Sequence, residues 1–180
     1  MSTTRKLCVC AVCIALCCVL PPAFHAIGLG SVLSPLHIPV FLCALLCTWQ
    51  YGLACGLCGT LLSSLLTSMP PAAALFHMVP ELCAYGLFTG LLFRRIRTGR
   101  TALDIYLALV PSMLLGRVVG GAARVIFYLS GAEGYSLSLW VGAYFIESFP
   151  AIVLHLAVVP ALTLVLMRAK LAPQRCAKEG

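Results

Sequence analysis

A chain of 180 residues that is 62% hydrophobic and only 9% charged, with a mean hydropathy of +1.05, is not a water-soluble globular domain; such domains carry roughly 25% charged residues. The net charge of +7 does not point to nucleic acid either, because ten of the twelve Lys and Arg fall in three clusters that flank apolar segments. None of these clusters, Arg5–Lys6, Arg94 to Arg100 and Arg168 to Lys178, is interleaved with aromatics for base stacking.

Hydropathy, punctuated by Pro, Gly and charge, predicts six membrane spans in one domain over residues 1–180. The first covers Leu7 to Leu20. Fourteen residues make only about 21 Å of helix, short of a hydrocarbon core of about 30 Å. This span must therefore continue through Pro21-Pro22 towards Ile27, or stay short and pack against protein. Its Arg5-Lys6 start also fits a secretory signal, but the small-residue cleavage pattern is poor. It holds five of the eleven cysteines. Two CxxC spacings occur, Cys10/Cys13 and Cys55/Cys58. Nearly every cysteine lies inside an apolar run, where it acts as a small, polarisable hydrophobe rather than a metal ligand or a disulfide partner.

The second span is expected from about Leu36 to Trp49, the third from Tyr51 to Ser68 and the fourth from Ala72 to Phe93. The fifth covers Asp104 to Leu129. The sixth runs from Leu139 to Met167 and is long enough to tilt or to begin outside the membrane. Topology follows from the basic clusters. Arg5-Lys6, the Arg94 to Arg100 loop and the carboxy-terminal Arg168, Lys170, Arg175 and Lys178 all fall on one side if the count is six. The expected fold class is therefore all-α: a polytopic membrane protein with six transmembrane helices and both termini cytoplasmic.

Four ionisable residues fall inside these spans: Glu81, Arg117, Arg124 and Glu147. Each costs at least about 2.5–3.5 kcal/mol at the bilayer centre, so such residues face a bundle interior or a cavity. Helical spacing groups them. His77, Glu81 and Tyr85 share a face of the fourth span. Arg117 and Arg124, seven apart, share a face of the fifth, which Tyr128 continues. Trp140, Tyr144 and Glu147 share a face of the sixth. Two readings fit. Arg117–Glu81 and Arg124–Glu147 are ion pairs that hold helices together, or the three stripes line a polar small-molecule site in the outer half of the membrane. In the second reading an Arg clamps a carboxylate through two parallel hydrogen bonds.

His37 and His155 stand singly, without ligand spacing, and read as packed or hydrogen-bonded residues rather than metal ligands. Gly116-x-x-x-Gly120 on the fifth span and Ala11-x-x-x-Ala15 on the first allow another backbone to approach closely. No HExxH, no phosphate-cradling glycine loop and no nucleophile–base pair occurs, so neither an enzyme nor an ATPase is expected, and no cofactor is called for. A stand-alone secondary transporter or channel would use the same polar stripes. Prolines at 39, 80, 111, 150 and 160 leave room for broken helices, but no internal repeat is visible.

Ser34-Pro35-Leu36-His37-Ile38-Pro39-Val40-Phe41-Leu42 is followed by Trp49-Gln50-Tyr51-Gly52-Leu53 and Gly56, then by Leu61 to Met69-Pro70-Pro71 and by Pro80-Glu81-Leu82-Cys83-Ala84-Tyr85-Gly86-Leu87. In this order the segments resemble the substrate-binding S component of energy-coupling factor (ECF) vitamin transporters, over most of the chain. The motifs sit nearest the pantothenate branch. The resemblance implies a subunit of a bacterial plasma membrane that binds a vitamin or precursor from outside. Such a subunit docks on a membrane coupling subunit bearing two cytoplasmic ATPases, topples in the bilayer and releases its cargo inside. It also implies docking through small residues of the first helix, where Ala11 and Ala15 match, although the cysteines among them depart from the usual alanine-rich strip. A carboxylate-bearing cargo would suit Arg117 or Arg124, with His37 in the same motif region.

Overall fold

The computed structural model describes residues 1–28, 30–129, 142 and 148–169. Its helices are α1 (Thr3–Ala26), the single turn α2 (Gly30–Leu33), α3 (His37–Leu46), α4 (Trp49–Thr67), α5 (Ala72–Arg95), α6 (Thr101–Leu129) and α7 (Phe149–Arg168). There is no strand among the described residues. Trp140, Tyr144, Glu147, Lys170, Arg175 and Lys178 lie outside them, as does the side chain of Tyr128.

The first predicted span is a 24-residue helix that runs straight through Pro21 and Pro22. Each proline removes one i→i−4 hydrogen bond and crowds the preceding turn. Such losses are tolerated in membrane helices where neighbouring elements cover the freed carbonyls. Here Pro21 is buried, and the adjacent Cys17 thiol, fully enclosed, points to the Leu36 carbonyl at 3.9 Å. At its other end, the hydroxyl of Ser2 accepts from the Arg5 backbone N–H at 3.4 Å and caps the helix.

The second predicted span is not one helix long enough to cross. Its ten-residue core, α3, extends about 15 Å, half the hydrocarbon thickness. Nine of the ten residues are buried, and α3 is the centre of the molecule, touching α1, α4, α5 and α7. A helix apolar on every side is what a position enclosed by protein demands. In front of it the chain breaks: α2 ends at Leu33, Ser34 takes a left-handed conformation (φ 43°), and Pro35 and Leu36 turn into α3. At its far end, Cys47 and Thr48 leave the helix and α4 starts at Trp49, so that Trp49 opens the third helix rather than closing the second.

Around α3 the longer helices pack in sequence order, α1 on α4, α4 on α5, α5 on α6 and α6 on α7, while α2 and α3 close the gap between α7 and α1. Four of them, α1, α5, α6 and α7, are long and apolar enough to cross a membrane. The 19-residue α4 is long enough but less apolar, because its buried face is Gly52, Cys55, Gly56, Gly59, Thr60 and Ser63. Its hydroxyls are satisfied within the helix or its terminus: Thr60 donates to Gly56 at 2.6 Å and Thr67 to Ser63 at 2.6 Å.

Small residues set the spacing at α4–α5. A methyl group added at Gly56 would stand 2.6 Å from the Leu82 carbonyl oxygen, one at Gly90 would stand 2.6 Å from the Trp49 Cα, and one at Gly86 would run into the Gly52 carbonyl. Two backbones are in direct contact along this seam, the arrangement that small-xxx-small spacing permits. The cysteines fill the seam between α1, α3 and α4. Cys10, Cys13, Cys17, Cys43 and Cys55 are buried there as thiols, and a methyl at Gly59 would meet the Cys17 sulfur at 2.9 Å.

Arg94 and Arg95 end α5, and Arg97 and Arg100 lie in the loop that joins it to α6, all four exposed. Asp104, 3% exposed in the first turn of α6, holds this loop by accepting from the Thr98 N–H (2.8 Å) and hydroxyl (2.7 Å). A carboxylate there also complements the positive end of the α6 dipole.

Candidate functional site

A stripe predicted from spacing alone is present on α5: His77, Glu81 and Tyr85 follow one another at intervals of four on the side that faces α6 and α3. Glu81 and Tyr85 are buried, and the Tyr85 hydroxyl donates to Glu81 Oε1 at 2.6 Å. On α6 the facing residues are glycines. A methyl added at Gly116 would clash with the Tyr85 ring, and one at Gly120 would stand 2.7 Å from Glu81 Oε2. The Gly116-x-x-x-Gly120 motif thus admits side chains of the polar stripe, not a second backbone. Arg117, next to Gly116, is 6% exposed, and Arg124, two turns on, is half-buried.

These residues meet in a cavity of about 200 Å³. Its walls are Ser34, His37, His77, Met78, Glu81, Arg117, Arg124, Ser148, Ala151 and His155. Five side chains expected from the sequence, His37, His77, Glu81, Arg117 and Arg124, come from three helices, α3, α5 and α6, and share it. Of the remaining expectations, Tyr128 sits on the last turn of α6 with its side chain outside the described set. Trp140, Tyr144 and Glu147 lie outside the described residues, and so does any Arg124–Glu147 pair. Ala11 and Ala15 are on α1, exposed and away from the cavity.

The break before α3 is one wall of this site. Irregular backbone at membrane depth is sustained where it lines a cavity, and Ser34 does so. Its carbonyl accepts from His37 Nδ1 at 3.0 Å. A carbonyl only accepts, so Nδ1 carries the proton and the Nε2 lone pair of His37 is left for other partners. The His37 ring lies 5.3 Å from both Tyr85 and His155, and Phe41, one turn along α3, lies 5.1 Å from Tyr85 and 5.9 Å from His155. The positive charge of Arg117 acts on His37 and His155, and that of Arg124 acts on His77.

His155 had no pattern in the sequence to mark it. It is 2% exposed, in the middle of α7, and its Nε2 has no hydrogen-bond partner among the described residues. Such buried orphans are uncommon. Ser34, Met78, Ser148 and Ala151 were missed for the same reason: each is an ordinary residue until the helices meet.

A second cavity, about 490 Å³, opens beside the first and shares Ser34, His37 and Met78 with it. Pro21, His25, Gly30, Pro35, Leu36 and the turn Ser68 to Pro71 complete its lining. That turn is held at the end of α4 by two serines, with Ser63 donating to the Met69 carbonyl (2.6 Å) and Ser64 to the Pro70 carbonyl (2.7 Å). Among the described residues no group of three or more His, Cys, Asp or Glu is placed to hold a metal ion.

A family model described as the ECF transporter substrate-specific component matches residues 5–165. The chain belongs to this family. It is a multi-pass membrane protein of the substrate-binding type, from a transporter family and not an enzyme family, with a small-molecule substrate and ECF transporter subunits as partners. No curated protein and no solved structure matches the substrate-specific component described here.

Proposed function

We propose that this substrate-specific component captures a vitamin or vitamin precursor from outside a bacterial plasma membrane and releases it inside. It does so with a membrane coupling subunit and two cytoplasmic ATPases. Arg117 and Arg124 hold an anionic group of the cargo, Glu81, His77 and His37 complete the polar wall, and Tyr128, Trp140, Tyr144 and Glu147 close the site from the outer side. The chain crosses the bilayer six times, α2 and α3 together making the second crossing, and both termini are cytoplasmic. The pantothenate-like order of the sequence motifs makes a pantothenate-type acid the first cargo to try.

One observation supports this reading above the others. Residues far apart in sequence, each costly to bury, line a single cavity instead of being distributed over separate helix contacts. The alternative in which the charges only brace helices needs no cavity between them. The partner face is assigned to α1, where Ala11 and Ala15 lie exposed between the exposed Val12, Leu16 and Val19. An energy-coupled importer of this kind needs such a face, because its ATPases are separate subunits.

The test is uptake in cells with and without the ATPase pair, alongside binding to the isolated chain. The proposal predicts co-purification with the coupling subunit and the ATPases. It also predicts submicromolar binding by the chain alone, about −8 kcal/mol or better. Uptake that persists when the ATPases are deleted would sink it.

A further inference from the structure

The two joined cavities differ in chemistry, and the difference describes a ligand. The inner one is small, about 200 Å³, and is lined by two guanidinium groups, a carboxylate and three imidazoles. The outer one is more than twice as large, about 490 Å³, and its wall is dominated by Pro21, Pro35, Pro70 and Pro71 with Leu36 and Met69. Proline offers no N–H, and the polar side chains on this wall are confined to His25, Ser34, His37 and Ser68, with no charged group among them. The chambers meet at Ser34, His37 and Met78, and the left-handed Ser34 is the point at which the chain turns between them.

Building on the substrate-binding reading above, but departing from its pantothenate-type cargo, we propose that the cargo is an amphipathic acid. Its anionic head lies in the inner chamber against Arg117 and His155, and its apolar body crosses the Ser34–His37–Met78 sill to fill the outer chamber. His155 is the independent support. Its ring is packed against His37 and Phe41, the residue lines the polar cavity, and its Nε2 is buried with no hydrogen-bond partner among the described residues. An Nε2–H tautomer donates to a carboxylate oxygen, which makes His155 a specificity-determining residue. A compact polar solute would satisfy the inner chamber and leave the apolar one empty or wet. An apolar solute without a head would leave the inner groups unanswered. Only a molecule with both parts matches both chambers.

The experiment is isothermal titration of the full chain in nanodiscs, with empty nanodiscs subtracted, using three probes: octanoate, its neutral analogue octanamide, and pantothenate, an acid whose body is a hydroxylated amide. The proposal expects octanoate to bind at least tenfold more tightly than either of the others. Equal binding of octanamide would overturn it, because the head would then not be read as a charge. Pantothenate binding as tightly as octanoate or more so would also overturn it, while leaving the substrate-binding reading intact. If neither acid binds at millimolar concentration, the amphipathic-acid proposal falls, while the substrate-binding reading stands or falls on uptake with and without the ATPases. His155→Phe keeps the ring packing and removes the nitrogen. It is expected to weaken octanoate about tenfold and to narrow the gap to octanamide, with His155→Gln restoring part of the loss. Unchanged discrimination in a folded His155→Phe chain would remove His155 from the site.

Discussion

The α4–α5 and α5–α6 seams share a helix and a sequence motif, yet they use glycine for opposite ends. At α4–α5, Gly52, Gly56, Gly86 and Gly90 bring two backbones into contact, and every neighbour of the missing methyls at Gly56 and Gly86 is main chain. At α5–α6, Gly116 and Gly120 face the Tyr85 ring and the Glu81 carboxylate. Close packing of backbones makes the first seam rigid. Room for large polar side chains makes the second a site. A GxxxG pattern read in isolation tells neither outcome from the other, because what fills the groove is decided by the partner helix.

The largest break is expected on the rigid seam. Gly86→Leu forces a side chain into the Gly52 carbonyl, which cannot yield as a flexible side chain would. Overpacking typically costs about 1–3 kcal/mol for extra methylenes, and more where backbone is the obstacle. Fluorescence-detected size exclusion should show loss of the monodisperse peak. A normal peak would mean the seam is looser than described.

The next effect belongs to the site. Arg117→Ala should weaken substrate binding by about ten- to a hundredfold, the worth of a charge-assisted hydrogen bond at about 1.5–3 kcal/mol. Arg124→Ala should cost less, since Arg124 is half-buried where Arg117 is 6% exposed. Titration of each variant with the cargo checks this; affinity unchanged in both would leave the charges as helix braces only.

Gly120→Ala sharpens the contrast with Gly86. Its methyl meets the Glu81 side chain rather than main chain, so thermal stability should fall by less than about 1 kcal/mol while binding weakens a few-fold as Glu81 shifts. A large stability loss with unchanged binding would reverse the assignment of the two seams. Smallest in its effect on binding is Tyr85→Phe. It deletes the 2.6 Å hydrogen bond to Glu81 and should cost about 0.5–1.5 kcal/mol in thermal unfolding, with the ring contacts to His37 and Phe41 kept.

Much of this could be read in the sequence where the physics is periodic. The helical repeat alone placed His77, Glu81 and Tyr85 on one face and Arg117 and Arg124 on another, and the high cost of buried charge said that these faces turn inward. The helix through Pro21-Pro22 is one of the two outcomes that the thickness of a bilayer left open for the first span. Hydropathy failed where lipid and protein interior are alike as solvents. The apolar run from Leu36 to Trp49 reads the same whether it faces lipid or, as α3 does, is enclosed by four helices. Its break at Ser34 depends on a backbone dihedral that no apolar pattern encodes. His155 was read only as a packed or hydrogen-bonded residue, for a third reason: it has no partners on its own helix, and its surroundings exist only once α3, α5 and α7 meet.

The central claim is that the cavity bounded by α3, α5, α6 and α7 holds the cargo. Native mass spectrometry of the intact chain, side by side with an Arg117→Ala/Arg124→Ala double variant purified in the same way, tests it most directly. The account predicts a small-molecule adduct on the native chain that is absent from the variant. Identical spectra for the two would contradict it.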